Sequence, residues 1–148
     1  MKSVSPVTRE SASELYSGQP ILQNEYVSLW YHAPYRMVHH EMHKIPSSEA
    51  FRGLLLRGAE LVEQHGATKW LSDDRQNTVV REPDAEWADT VWAPRVLKAG
   101  FMFWCIVLPT AAIGKLNMRR FAGEYRKRGL TANVVDDPAA AFAWLIQQ

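Results

Sequence analysis

The chain has 148 residues, 47% hydrophobic and 22% charged, with 17 Lys and Arg against 16 Asp and Glu for a formal net charge of +1. That is the profile of one ordinary globular domain whose core needs no disulfide or metal staple. The near-neutral balance lacks the basic footprint that sequence-independent nucleic-acid binding requires. The single cysteine, Cys105, excludes an internal disulfide and fits a reducing, cytoplasmic setting. No cofactor is implied, because the sequence carries no G-x-G-x-x-G, P-loop, G-x-S-x-G or zinc-spaced cysteine pair.

Met1 to about Pro20 holds Ser3, Ser5, Ser11, Ser13 and Ser17 among scattered charges and reads as a poorly ordered, flexible arm, followed by a single domain over 21–148. The longest apolar run, Phe101 to Pro109, is about half of the roughly 20 residues a membrane helix needs. Ile21 to Tyr31 and Tyr35 to Lys44, rich in Val, Tyr, Trp and Met, predict two antiparallel strands turning at His32-Ala33-Pro34. From Ser47 to His65 the apolar residues recur at helical spacing, with a serine cap before them and Gly66 after. Thr68 to Leu71 reads as a strand that runs into an exposed polar loop, Ser72 to Asn77. A second helix opens near Pro83, with Asp84 and Glu86 at the positive end of its dipole, and extends to Gly100. Pro94 inside it removes a backbone hydrogen bond and predicts a kink or break near Thr90. Phe101 to Leu108 is apolar throughout, as expected of a central strand covered on both faces. Ile113 to Arg128 is helical and stops at Gly129, Thr131 to Val135 is the last strand, and Asp136 or Asp137 caps a final helix with Pro138 in its first turn.

The order β-β-α-β-α-β-α-β-α with right-handed crossovers predicts an α/β domain: a mixed, mostly parallel sheet with an N-terminal β-hairpin, helices on both faces, and only Ile21 to Tyr31 antiparallel. This order resembles the STAS domain and its SpoIIAA-like relatives. Lys69-Trp70-Leu71-Ser72-Asp73-Asp74-Arg75, Trp87 through Trp92-Ala93-Pro94-Arg95, Ala99-Gly100-Phe101 and Asn117-Met118 look like one uncharacterised bacterial branch of STAS/SEC14-type proteins. The resemblance spans Ile21 to the C-terminus and implies a binding or regulatory module. In STAS phosphorylation switches, a serine opens the helix after the switch strand. Here Glu82-Pro83-Asp84 stands there, where a phosphate would meet like charge. Ser72 and Thr78 remain as acceptors, but away from the family position.

Four features carry candidate chemistry. On a strand, His39, Glu41 and His43 share one face, but His39 and His43 lie too far apart to share a metal, and further ligands would have to come from His32, His65 or loop carboxylates. Hydrogen-bonded strand histidines are the simpler reading, with no metal. Ser72-Asp73-Asp74-Arg75 lies where a parallel strand ends, the usual edge for ligands in an open α/β sheet. Trp70, Trp87 and Trp92 gather near the same loop, and Pro94 beside them opens room for a crevice with Arg95, whereas Trp104 and Trp144 suit the core. Finally, Asp73 to Asp89 carries six carboxylates and Lys115 to Arg128 six cations, patches that could pair in a homodimer or with a partner. Cys105 reads as a buried, inert thiol.

The leading expectation is a non-enzymatic module acting through a protein partner. The alternative is a carrier or sensor of a small amphipathic ligand held by Asp73, Asp74, Arg75, Trp87, Trp92 and Arg95. A hydrolase-type enzyme using His40 or His43 with Asp73 comes third, because no activated nucleophile accompanies them. On this reading Asp74→Ala and Arg75→Ala change stability by no more than about 0.5 kcal/mol, as at surface positions.

Overall fold

The computed structural model describes residues 8–77 and 79–148, except for the side chain of Glu10. A helix α1 (Arg9–Ser17) precedes strands β1 (Leu22–Gln23), β2 (Val27–His32) and β3 (Met37–Met42), the last two joined by a 3-10 turn at Ala33–Tyr35. Then α2 (Ser48–His65), β4 (Lys69–Asp73), α3 (Glu82–Trp87), a π turn (Ala88–Trp92), α4 (Ala93–Lys98), β5 (Phe103–Val107), α5 (Ala112–Arg126), β6 (Thr131–Val135) and α6 (Pro138–Ile146) follow. The strands form one six-stranded sheet in the order β1-β2-β3-β4-β5-β6, parallel from β3 to β6.

Chain order and sheet order coincide, so every right-handed crossover steps in the same direction and lays its helix on the same face. On that face Val27, Leu29, Val38, Met42 and Trp70 pack with Leu54, Leu55, Trp92 and Val96 of the helices. Met118 and Ala122 of α5 extend the layer over Ile106 and Ala132. Strand alternation sends Met37, Leu71, Cys105 and Val107 to the opposite face, where Leu15 of α1 and Ala141, Phe142 and Leu145 of α6 cover them. β5 lies between β4 and β6, as its uninterrupted apolar run predicts.

Two expectations are corrected and a third is made specific. Residues 9–17 are not a poorly ordered arm. Thr8 caps a helix by accepting the Ser11 N–H, and Ala12 and Leu15 are buried while Ser13 and Ser17 face outward. With only two buried apolar positions, Ala12 and Leu15, three residues apart, this helix was hidden among the serines. Ile21 to Tyr31 is not one strand: the Asn24 side chain accepts the N–H groups of Tyr26 and Val27 at 2.8 and 3.0 Å, turning the chain between β1 and β2. Only β2 therefore runs against the parallel strands, since β1 reverses a second time. The kink or break expected near Thr90 takes the form of a π turn over Ala88–Trp92, just before Pro94, after which the helix continues as α4.

Candidate functional site

Asp73 and Asp74, adjacent in sequence, are separated by the sheet. Asp73 ends β4 on the face covered by α1, and Asp74 returns to the face covered by α2 to α5. Both are buried, at 1% and 5% exposure, which corrects the reading of this stretch as an exposed loop. Strand β4 runs two residues beyond Leu71, and the Asp74 N–H is held by the Val107 carbonyl at 3.1 Å.

On the α1 face, Arg75 grips Asp73 with two hydrogen bonds, 2.9 and 2.8 Å, and the Tyr16 hydroxyl donates to the same carboxylate at 2.8 Å. Burial, with the Asp73 charge beside it, pushes the Tyr16 hydroxyl pKa up, and burial does the same to Glu41, which lies 4.0 Å from Arg75. This is a closed ion-pair network that pins α1 to the sheet. His39 joins it as packing: its ring stacks on Trp30, meets Tyr16 edge-on and lies 3.1 Å from His32. His43 instead contacts Ser28 and Glu41. Among the described residues no His, Cys, Asp and Glu group could hold a metal ion.

The opposite face contains a cavity of about 70 Å³ between the sheet and the helical layer. Trp70, Trp92, Trp104, Phe51, Phe121 and Tyr125 are among its lining residues. Two ring pairs shape this wall: Trp70 and Trp92 are T-shaped at 5.3 Å, and Trp104 and Tyr125 are tilted at 5.2 Å. Gly58 of α2 admits the Trp70 ring, because a Cβ there would collide with three of its atoms. The π turn places Ala88 and Trp92 on the wall, in line with the frequent use of π bulges at functional sites. Half-exposed Val80, Ala85, Asp89 and Phe121 mark its outer end.

Polar groups line the cavity too. The Trp70 indole donates to His40 Nδ1 at 2.9 Å, and His40 Nε2 lies 3.0 Å from Asp74 Oδ1. An indole can only donate, so His40 Nδ1 carries the lone pair and its proton sits on Nε2, aimed at Asp74. Both ring nitrogens are thereby committed, which leaves His40 no free lone pair for proton abstraction. The pairing is with Asp74, and Asp73, the acid-base partner expected from the sequence, lies across the sheet. Trp104 donates to Ser72 Oγ at 2.8 Å and Trp92 to the Leu55 carbonyl at 2.8 Å. Asn77 is 2% exposed, yet its Oδ1 has no partner among the described residues.

Of the residues expected to form a crevice, the structure brings together only Asp74 and Trp92. Asp73 and Arg75 belong to the α1 face. Arg95 pairs with Glu63 on the surface at 2.7 Å, and Trp87, partly buried, receives the Arg52 guanidinium over its ring. Ser72 is buried at 2% exposure, out of reach of a modifying enzyme, and Thr78 lies outside the described residues. The sequence reading missed His40, Asn77, Trp104 and Tyr125 as members of one site. Val38, His40 and Met42 alternate on one strand face, a pattern that places a histidine inside an apolar layer and signals a buried partner. Cys105 is fully buried, and burial pushes its thiol up to about 12. No helix of the described residues is long and apolar enough to cross a membrane.

Compared with known proteins, the chain matches no family model, no curated protein and no solved structure.

Proposed function

We propose that the domain binds a small, mostly apolar molecule with one polar end in the aromatic cavity between the sheet and α2 to α5. The observation that carries this reading is Asn77 Oδ1, a buried acceptor without a partner among the described residues, at the wall of a largely aromatic and aliphatic cavity. Leaving such an acceptor unpaired costs about 1 to 3 kcal/mol, so a site that keeps one open is prepared for a group from outside. The volume is about half of the roughly 150 Å³ that admits benzene, so the occupant is a molecule, or the end of one, of a few heavy atoms. Screening fragments of that size by ligand-observed NMR against the wild type and Ala88→Leu tests the reading. Fragments that bind the wild type and are lost from the filled cavity support it, and binding unaffected by Ala88→Leu refutes it.

Two broader parts of the reading are proposals of the same standing. The domain is a SpoIIAA-like relative, a reading supported by its unidirectional β-α progression after an antiparallel opening strand pair. A protein-docking role is favoured by Ile113 and Leu116, 58% and 65% exposed and three residues apart on α5. A charge introduced there, Leu116→Lys, leaves fragment binding intact and removes any self-association detectable by sedimentation.

A further inference from the structure

The donors and acceptors around the cavity are unevenly matched. The three indole N–H groups are spent on His40, the Leu55 carbonyl and Ser72, and the single His40 proton goes to Asp74. Burial and the neighbouring Asp89 carboxylate push the Tyr125 hydroxyl up, which keeps its proton in place beside Asp89. The Ser72 hydroxyl proton and the two N–H of the Asn77 amide are counterweights to what is left over. Among the described residues Asn77 Oδ1 accepts nothing, and the Asp74 carboxylate, with about four lone-pair sites, receives one hydrogen bond.

Charge is unbalanced in the same sense. Asp74 and Asp89 both line the cavity and, among the described residues, no Lys or Arg does, Arg128 lying over the Tyr125 ring beside the Asp89 carbonyl. Arg75, the cation nearest in sequence, is turned through the sheet to Asp73. Aromatic faces add to this field, because the negative face of an indole or phenol ring attracts a cation, most strongly at desolvated sites.

We propose that the cavity's ligand is a small alkylammonium ion that keeps at least one N–H, its charge facing Asp74, its N–H donated to Asn77 Oδ1 and its alkyl part against Trp70, Trp92 and Trp104. This deepens, and rests on, the reading of the cavity as a ligand site. The arrangement disfavours carboxylates and phosphates, which bring more acceptors and more negative charge. It also disfavours quaternary ammonium ions, which bring the charge without a proton for Asn77.

The test is a titration of the wild-type protein with n-butylammonium, 1-butanol, butyrate and tetramethylammonium, each followed by tryptophan fluorescence. n-Butylammonium is expected to bind about tenfold or more tightly than butyrate and tetramethylammonium, the scale of one charge-assisted hydrogen bond. In Asp74→Asn, which keeps the shape and removes the charge, its advantage over 1-butanol is expected to vanish. Should that variant fail to fold, the wild-type ratios still decide. Butyrate or tetramethylammonium binding as well as n-butylammonium overturns the inference and leaves the cavity reading standing. Silence from all four probes, the neutral alcohol included, overturns both.

Discussion

The Trp70 indole donates to Nδ1 of His40 at 2.9 Å, and this one bond orients the imidazole toward Asp74. An aromatic side chain thus serves here as the orienting partner of a histidine, and the resulting chain of donors ends on a carboxylate at the cavity wall. The ¹⁵N shifts of the His40 ring are expected to report the Nε2–H tautomer. In Trp70→Phe the Nδ1 acceptor is stranded, and stability falls by about 1 to 3 kcal/mol from the unpaired group alone. A wild-type spectrum with the proton on Nδ1 contradicts the assignment.

Gly58 and Gly53 lie on the same helix and separate packing from propensity. Gly53→Ala meets nothing within 4 Å and is expected to stabilise the domain by about 0.5 to 1 kcal/mol, the usual gain for alanine over glycine in a helix. Gly58→Ala drives its methyl into the Trp70 ring, and overpacking of that kind costs about 1 to 3 kcal/mol. Urea denaturation of the two variants should therefore give shifts of opposite sign.

Asp74→Ala is expected to destabilise the domain by about 1 to 3 kcal/mol, because it strands the His40 N–H in a buried site. This replaces the expectation of near neutrality drawn from the sequence. Arg75, 42% exposed along its side chain, looks dispensable, yet it holds buried Asp73. Arg75→Ala is expected to cost more than a surface change for that reason. Equilibrium unfolding of both variants checks the pair.

The acid side of the stability profile follows from His39. Burial, with the His32 and His40 rings adding to it, holds this imidazole well below its ordinary 6.5. The unfolded chain takes up a proton as pH falls through 6.5 and the folded one does not, so stability declines below that pH, by at most about 1.4 kcal/mol per pH unit for one proton. On the alkaline side Cys105, pushed from 9.0 up to about 12, acts in reverse, keeping its proton when folded and releasing it when unfolded, so stability declines above 9.0. Melting temperatures across this range should show a plateau between the two. His39→Phe should flatten the acid limb, and an unchanged acid slope would reject the assignment.

Periodicity made most of the fold legible. Ser47 and Gly66 bracket α2, Thr131–Val135 matches β6, and Asp137 caps α6 with Pro138 in its first turn. What escaped depended on which side of the sheet a residue faces. Asp73 and Asp74 read as one acidic pair until strand alternation divides them. His39, Glu41 and His43 drew attention as a shared face, while the informative residue was His40 on the other one. Asn77 looked like any polar loop residue, because burial of a loop against a cavity leaves no local signature in the chain.

The most direct test of the cavity as a binding site is an ¹H–¹⁵N spectrum of the tryptophan indoles during titration with n-butylammonium and with 1-butanol. Trp70, Trp92 and Trp104 line the cavity, whereas Trp30 donates to Gly18 and Trp144 packs on the opposite face. The account predicts saturable shifts of the three cavity indoles with Trp30 and Trp144 unmoved. Shifts in neither set, or equal shifts in both, would contradict it.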